Sequence, residues 1–443
     1  MVFRGFAIPR RSVAFFRRLV ARLTFWAGAV AVGVVAVGFA ELTDWVGDHF
    51  QRGARSLAWL PFLLTPTIGI IAAWLTRRHF SGIEGSGIPQ VMAELSRRHD
   101  DTWPPLVSLK LAFGKIMVGV MAIGGGFSFG REGPTVQVGA SIMSSIEPLM
   151  PRATEIQRKH LLIVGGAAGI AAAFNTPLAG IIFAIEELNR GIESRLSGLI
   201  ITGIVLAGVI SQALIGNHSY YGEILVTGNN NSTTMEVVLA SALVTGVLGG
   251  MFAYMLNLAA SGWSTPLARL RRLHPYRFVI VCGLILAALG WATGGVTYGS
   301  GYRQTLTLLD GNTEYPWYFG PAKYIATLVS YLSGLPGGIF APSLAIGAGI
   351  GHDLFLMIGE DAPAGMLLVF CMTGFLAAVT QAPITSFVIV MEMVDGYDLI
   401  IGLMATALIA SGISTSISQP LYHFLSETIL RNKRRPPDSG ARL

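Results

Sequence analysis

In this chain of 443 residues, 52% are hydrophobic and only 13% charged, against about 25% charged in soluble domains, which excludes an ordinary soluble globular protein. The formal net charge is +6, yet nucleic acid is not the expected partner, because the cations sit at the ends of apolar runs as membrane proteins place them. Cys282 and Cys371 both lie inside apolar runs and read as buried reduced thiols, not as a disulfide or a metal site.

The first 23 residues interleave Arg4, Arg10, Arg11, Arg17, Arg18 and Arg22 with Phe3, Phe6, Phe15 and Phe16, which predicts a helix lying on the membrane surface. The apolar run after it begins too late for a cleaved secretory signal. Runs at 24–42, 57–76, 196–215, 236–257 and 277–295 each reach the roughly 20 residues that cross a bilayer as a helix. Residues 216–235 contain no Lys or Arg and read as an external loop, whereas Arg269, Arg271, Arg272 and Arg277 mark a cytoplasmic one. The tail, with Arg431, Lys433, Arg434 and Arg435, is expected to be short and disordered. Both termini are expected on the cytoplasmic side.

Gly130-Arg131-Glu132-Gly133-Pro134 sets two charges between apolar segments. A charge at bilayer depth costs about 2.5–3.5 kcal/mol on insertion scales, so Glu132 is a candidate functional residue. Proline suits the start of a helix, and glycine lets a ligand approach the backbone. Glu132 is therefore expected at a helix N-terminus, where free N–H groups carry partial positive charge and hold anions, a carboxylate included. Gly85-Ser86-Gly87-Ile88-Pro89 and Gly337-Gly338-Ile339-Phe340-Ala341-Pro342 repeat this chemistry. Three such ends aimed at one locus make an anion site. Partial charges suit conduction, because a full cation could hold the ion too tightly to release it.

The chain also repeats itself. Phe174-Asn175-Thr176-Pro177-Leu178-Ala179-Gly180, followed by Glu186, recurs as Thr380-Gln381-Ala382-Pro383-Ile384-Thr385-Ser386, followed by Glu392, with equal proline-to-glutamate spacing. Pro134-Thr135-Val136-Gln137-Val138-Gly139 likewise matches Pro342-Ser343-Leu344-Ala345-Ile346-Gly347. In each half a proline interrupts an apolar stretch, at 161–188 and 365–394. Corresponding broken segments point to a transporter site built from discontinuous helices near the midplane. The simpler alternative is that each proline merely kinks a long helix; recurrence across sites weakens it.

The GSGIP, GREGP and GGIFAP elements occur in this order, and from about residue 25 to 427 the chain resembles the CLC family of chloride channels and proton/chloride exchangers. The resemblance implies an all-α polytopic membrane protein, an antiparallel inverted repeat of tilted and discontinuous helices. It also implies a homodimer with one ion pathway per subunit. The expected division is an interfacial N-terminal helix at 1–23, a first membrane repeat at 24–215, the external loop 216–235, a second repeat at 236–427, and a short cytoplasmic tail at 428–443. The expected absence of a regulatory domain is similar to prokaryotic members and points to a plasma or inner membrane.

The resemblance further implies that Ser86 and Tyr422, the latter in Gln419-Pro420-Leu421-Tyr422, give hydroxyl donors to a central chloride, with the backbone N–H groups of Ile339 and Phe340 beside them. Taken alone, Ser86 reads as a helix cap and Tyr422 as an interfacial aromatic. Glu132, between Gly130 and Gly133, matches the family's external gating glutamate, whose carboxylate competes with chloride. Ionised, it can occupy an anion position; protonated, it loses that attraction and can swing out. Lys115 matches a buried lysine that adds positive potential near the pathway, and Arg131 reads as a structural partner.

A second carboxylate separates exchanger from channel. Glu187 aligns with the internal proton site of the family's exchangers, where channel members usually have an apolar residue; its simpler reading is an exposed helix-end glutamate paired with Arg190 or Arg195. Glu186 reads as a packing or pairing residue. Exchange of chloride for protons is the expected function, with a passive chloride channel as the alternative. The resemblance implies that Ser86 favours chloride over nitrate or fluoride, with bromide and nitrate as further permeant ions; no cofactor or metal is expected. Gln90 and Met92 stand where several exchangers have carboxylates, which touches proton entry and not the ion site. Gly126-Phe127-Ser128-Phe129-Gly130 fits a nucleophile-elbow pattern, but such a serine needs a strand-to-helix turn and a His and acid partner, so a hydrolase is a remote reading.

Overall fold

The structure is a computed structural model that describes residues 10–98, 100–150, 158–188, 198–216, 219–222, 231–261, 266–311, 314–359 and 363–434. Among these residues it is helical, with no strand and two isolated backbone bridges. The first half comprises α1 (Arg10–Ser56), α2 (Leu60–Arg78), α3 (Ile88–Leu95), α4 (Leu109–Gly124), α5 (Glu132–Ser145), α6 (Arg158–Phe174), α7 (Pro177–Phe183) with a π turn (Ala184–Leu188), and α8 (Gly198–Ile215). The second comprises α9 (Asn231–Ala260), α10 (Pro266–Leu273), α11 (Pro275–Ala292), α12 (Tyr302–Leu309), α13 (Phe319–Leu332), α14 (Phe340–Ile358), α15 (Ala364–Thr380), α16 (Pro383–Met393), α17 (Ile400–Thr415) and α18 (Leu421–Arg434). Seven helical stretches among the described residues are long and apolar enough to cross a membrane. Their outward Leu63, Leu243 and Ile401 are exposed, as expected of surfaces that meet lipid.

Three boundaries differ from expectation, the first being the external loop expected to reach 235, since α9 already begins at Asn231. Residues 10–23 form no separate helix, because α1 runs unbroken from Arg10 to Ser56; neither glycine nor proline interrupts it before Gly28. At the other end α18 continues through Arg434, so Arg431, Lys433 and Arg434 belong to a helix, where cations suit the last turn. Arg434 also grips Asp101 at 2.8 Å and holds its carboxyl well below the usual carboxylate range. That tie is complete at neutral pH and weakens only as acid protonates Asp101.

The two halves correspond helix for helix, α1–α8 with α9 and α11–α17. Packing is mirrored: α5 lies on α6 as α14 lies on α15, and α1 on α8 as α9 on α17. At the axis Gly130 and Gly338 exchange both backbone hydrogen bonds, at 2.8 and 2.7 Å, in an antiparallel bridge. Equivalent residues pair in this way across a local two-fold relation, as an inverted repeat requires.

Both broken stretches are true helix–turn–helix breaks. Asn175 (φ 57°) ends α6 and Gln381 (φ 56°) ends α15 in the left-handed region, and Pro177 and Pro383 open the next helices. Pro134 and Pro342 are the third residues of α5 and α14, not the first; a missing N–H is still harmless there, since the first turn has no internal acceptor. Close backbone approach joins α5 to α6, because a Cβ at Gly139 would collide with the Gly165 carbonyl. Small residues at such crossings drive helix association within membranes.

Candidate functional site

Three helix ends converge at one place. Gly85 (φ 65°) and Gly87 (φ 100°) bend the chain into α3 through the left-handed region, which glycine enters without cost. A side chain at Gly133 would meet Ser86 Cβ at 3.0 Å and Gly338 Cα at 3.2 Å, so the heads of α5, α3 and α14 touch. Neither the Ile339 nor the Phe340 N–H has a backbone acceptor among the described residues, leaving them available to an anion. Lys115 is fully buried and donates to the carbonyls of Ile83 (2.8 Å) and Gly85 (2.7 Å). Besides its charge it therefore holds the Ser86 loop; without it each abandoned carbonyl costs about 1–3 kcal/mol. Lys323 does the same for Thr297 (3.0 Å) and Gly299 (2.7 Å) beside a second Gly-Ser-Gly turn at 299–301. Sequence reasoning missed this mirror pair, although the tripeptide repeat was there to find.

Glu132 is the first residue of α5 and is fully buried. Its carboxylate faces its own N–H and that of Ala341 at the head of α14, without closing a hydrogen bond of standard geometry. The carboxylate folds over Gly130, where any side chain would strike it. Arg131 turns away from the locus. It binds Asp44 at 2.6 Å, the Ala40 carbonyl at 2.9 Å, Thr43 at 3.3 Å and the Tyr220 hydroxyl at 3.4 Å, and so anchors the motif to α1.

Ser86 and Tyr422 are each 1% exposed. The Tyr422 hydroxyl faces Ser86 yet makes no standard hydrogen bond, so it is a buried donor free for a ligand. A run of aromatic contacts leads away from it: Phe340 lies 6.0 Å from Tyr422, Phe174 and Phe183 lie 6.1 and 6.4 Å from Phe340, and Tyr220 lies 6.0 Å from Phe174. These rings were not anticipated, since only tertiary structure brings them together. A cavity of 480 Å³ reaches Ser86 between α10 and α18, lined also by Gln90, Arg271, Tyr331 and Lys433.

Glu187 sits in the π turn and is 2% exposed, so it is no exposed helix-end residue. Arg190 and Arg195, its suggested partners, lie outside the described residues. Gln90 donates to the Glu84 carbonyl and Met92 is packed in the core. Ser128 is fully buried in a turn after α4, beside Thr327 Oγ1 at 2.9 Å, without the strand-to-helix setting of a nucleophile.

Comparison with known proteins agrees with this geometry. The family model described as voltage gated chloride channel matches residues 68–415. The chain is 30% identical over 464 residues to the H(+)/Cl(−) exchange transporter ClcA of Cronobacter sakazakii, covering 96% of both proteins. Among solved structures it is similar to a slow cyanobacterial Cl−/H+ antiporter, with a TM-score of 0.82, 26% identity, and coverage of 94% of this chain and 99% of that one. A CLC-type fluoride/proton antiporter shares the fold at a TM-score of 0.72 and 21% identity, covering 93% of this chain and 98% of that one.

Proposed function

This chain belongs to the CLC family, the voltage gated chloride channels, and from that membership we propose that it is a secondary active transporter exchanging chloride for protons across the membrane. It is a multi-pass membrane protein. The observation that carries the exchange reading is a pair of buried carboxylates, Glu132 and Glu187, both close enough to act electrostatically on the Tyr422 hydroxyl. A channel needs only the first.

Chloride enters through the cavity beside Arg271 and Lys433 and takes the Ser86 and Tyr422 hydroxyls with the Ile339 and Phe340 N–H groups. Partial charges hold it there without trapping it. Ionised Glu132 occupies the next anion position, at the heads of α5 and α14. Protonation cancels its attraction for those N–H groups, and the carboxyl leaves the position to chloride. Glu187 passes protons between Glu132 and the cytoplasm, while the aromatic run keeps bulk water out of the space between them. On this reading both termini are cytoplasmic, the protein lies in the inner or plasma membrane, two copies form a homodimer with separate pathways, and bromide and nitrate also pass. The two membrane repeats are α1–α8 and α9–α17, joined by an external loop.

Vesicles containing the purified protein and loaded with chloride test this directly. Chloride leaving down its gradient should draw protons inward until the outside becomes alkaline. Chloride efflux with no proton movement would sink the exchange reading in favour of a channel.

A further inference from the structure

The two broken stretches are tied to each other crosswise. Glu186, in the π turn that closes α7, accepts the backbone N–H groups of Ile384 (3.1 Å) and Thr385 (2.6 Å) in the first turn of α16. Glu392, near the end of α16, accepts those of Leu178 (3.1 Å) and Ala179 (2.7 Å) in the first turn of α7. The helices lie antiparallel, and each ends in a carboxylate that satisfies the other's orphan donors. A carboxylate in this place is favoured both by charge-assisted hydrogen bonds and by the helix dipole.

The mirror fails at one point. After Phe183 the first-repeat helix widens into a π turn over Ala184–Leu188, whereas α16 stays α-helical to Met393. Such bulges lengthen the hydrogen-bonded loop to i→i+5 and occur mostly at functional sites. This one carries the anchored Glu186 and, next to it, the buried Glu187, whose mirror position holds Met393. A side chain fixed to the second repeat thus stands beside the carboxylate that must keep one direction in the core.

We propose that Glu186 is a positioning residue for Glu187: its hold on the head of α16 fixes the π turn and thereby the direction of the neighbouring carboxylate. This rests on Glu187 being the internal proton site. Relaxation of the turn to α-helix rotates Glu187 away from its place, which harms proton transfer but not the chloride ligands at the heads of α3, α14 and α18.

The test uses the full chain in vesicles, with proton and chloride fluxes measured together and chloride affinity by calorimetry. Glu186→Ala should keep wild-type chloride affinity while its proton-to-chloride flux ratio falls about tenfold or more, as small misplacements of reacting groups do. Glu186→Gln retains one of the two acceptor oxygens and should restore the ratio in part. Glu186→Asp, with a shorter reach, should give an intermediate ratio, and it supplies the answer where the alanine variant does not fold. Glu392→Ala removes the mirror tie and should leave the ratio unchanged. A wild-type ratio in Glu186→Ala or Glu186→Asp would overturn the inference. So would equal loss in Glu186→Gln, which would make Glu186 itself a proton carrier. Full coupling in Glu187→Gln would instead remove the reading beneath it.

Discussion

Glu132→Gln is expected to leave chloride moving while proton uptake falls to the leak of protein-free vesicles. The substitution keeps the shape of the side chain but removes its proton and its charge, so it mimics the protonated state permanently. In the wild-type protein chloride flux should rise as pH falls, because protonation takes the competing carboxylate out of the anion position. In the variant that dependence should vanish. The structural reason is the placement of Glu132 itself, fully buried and facing the Ala341 N–H at the head of α14, where an anion would sit. Persistent pH dependence and proton uptake in Glu132→Gln would show that another group is the gate.

The second large effect belongs to Glu187→Gln. Here the proposed chloride ligands stay intact, since Glu187 is in the π turn after α7 and the hydroxyls belong to Ser86 and Tyr422. Proton flux should fall by about 10²-fold, the lower end of what a positioned proton-transfer group contributes. Chloride flux should change far less. The contrast with Glu132 is diagnostic: both variants uncouple, but only Glu132→Gln loses pH gating of chloride. Chloride flux that stays coupled to protons in Glu187→Gln would place the internal proton site elsewhere.

Much of this site could be read from residue types alone, because its demands are unusual ones. A glutamate between apolar runs, glycines ahead of a proline, and a proline that recurs with a glutamate at fixed spacing are hard to explain otherwise in a membrane segment. The tertiary ties were not readable in that way. Glu186 reads as a pairing residue, but its partners are backbone N–H groups almost two hundred positions away, which no side-chain pattern announces. Arg131 was expected to be structural, and its partners Asp44 and Tyr220 become visible only once α1 is folded against α5. Glu94 went unnoticed although it is buried and bound by Arg97, Arg158 and the Leu106 N–H; in sequence it is one more polar residue on a short amphipathic helix. The continuity of α1 was missed because charge was read as a boundary, whereas backbone propensity shows no break. Lipid-facing and partner-facing helices look alike in composition, so the surface between two copies was not legible at all.

Coupling of chloride to protons is read most directly from the reversal potential of the reconstituted protein. With equal chloride on both sides and a pH difference across the membrane, exchange requires a non-zero voltage to stop the current, since the proton gradient also drives the cycle. In the wild-type protein this voltage should shift with the pH difference, as proton coupling requires. A reversal potential that stays at zero, set by chloride alone, would contradict it.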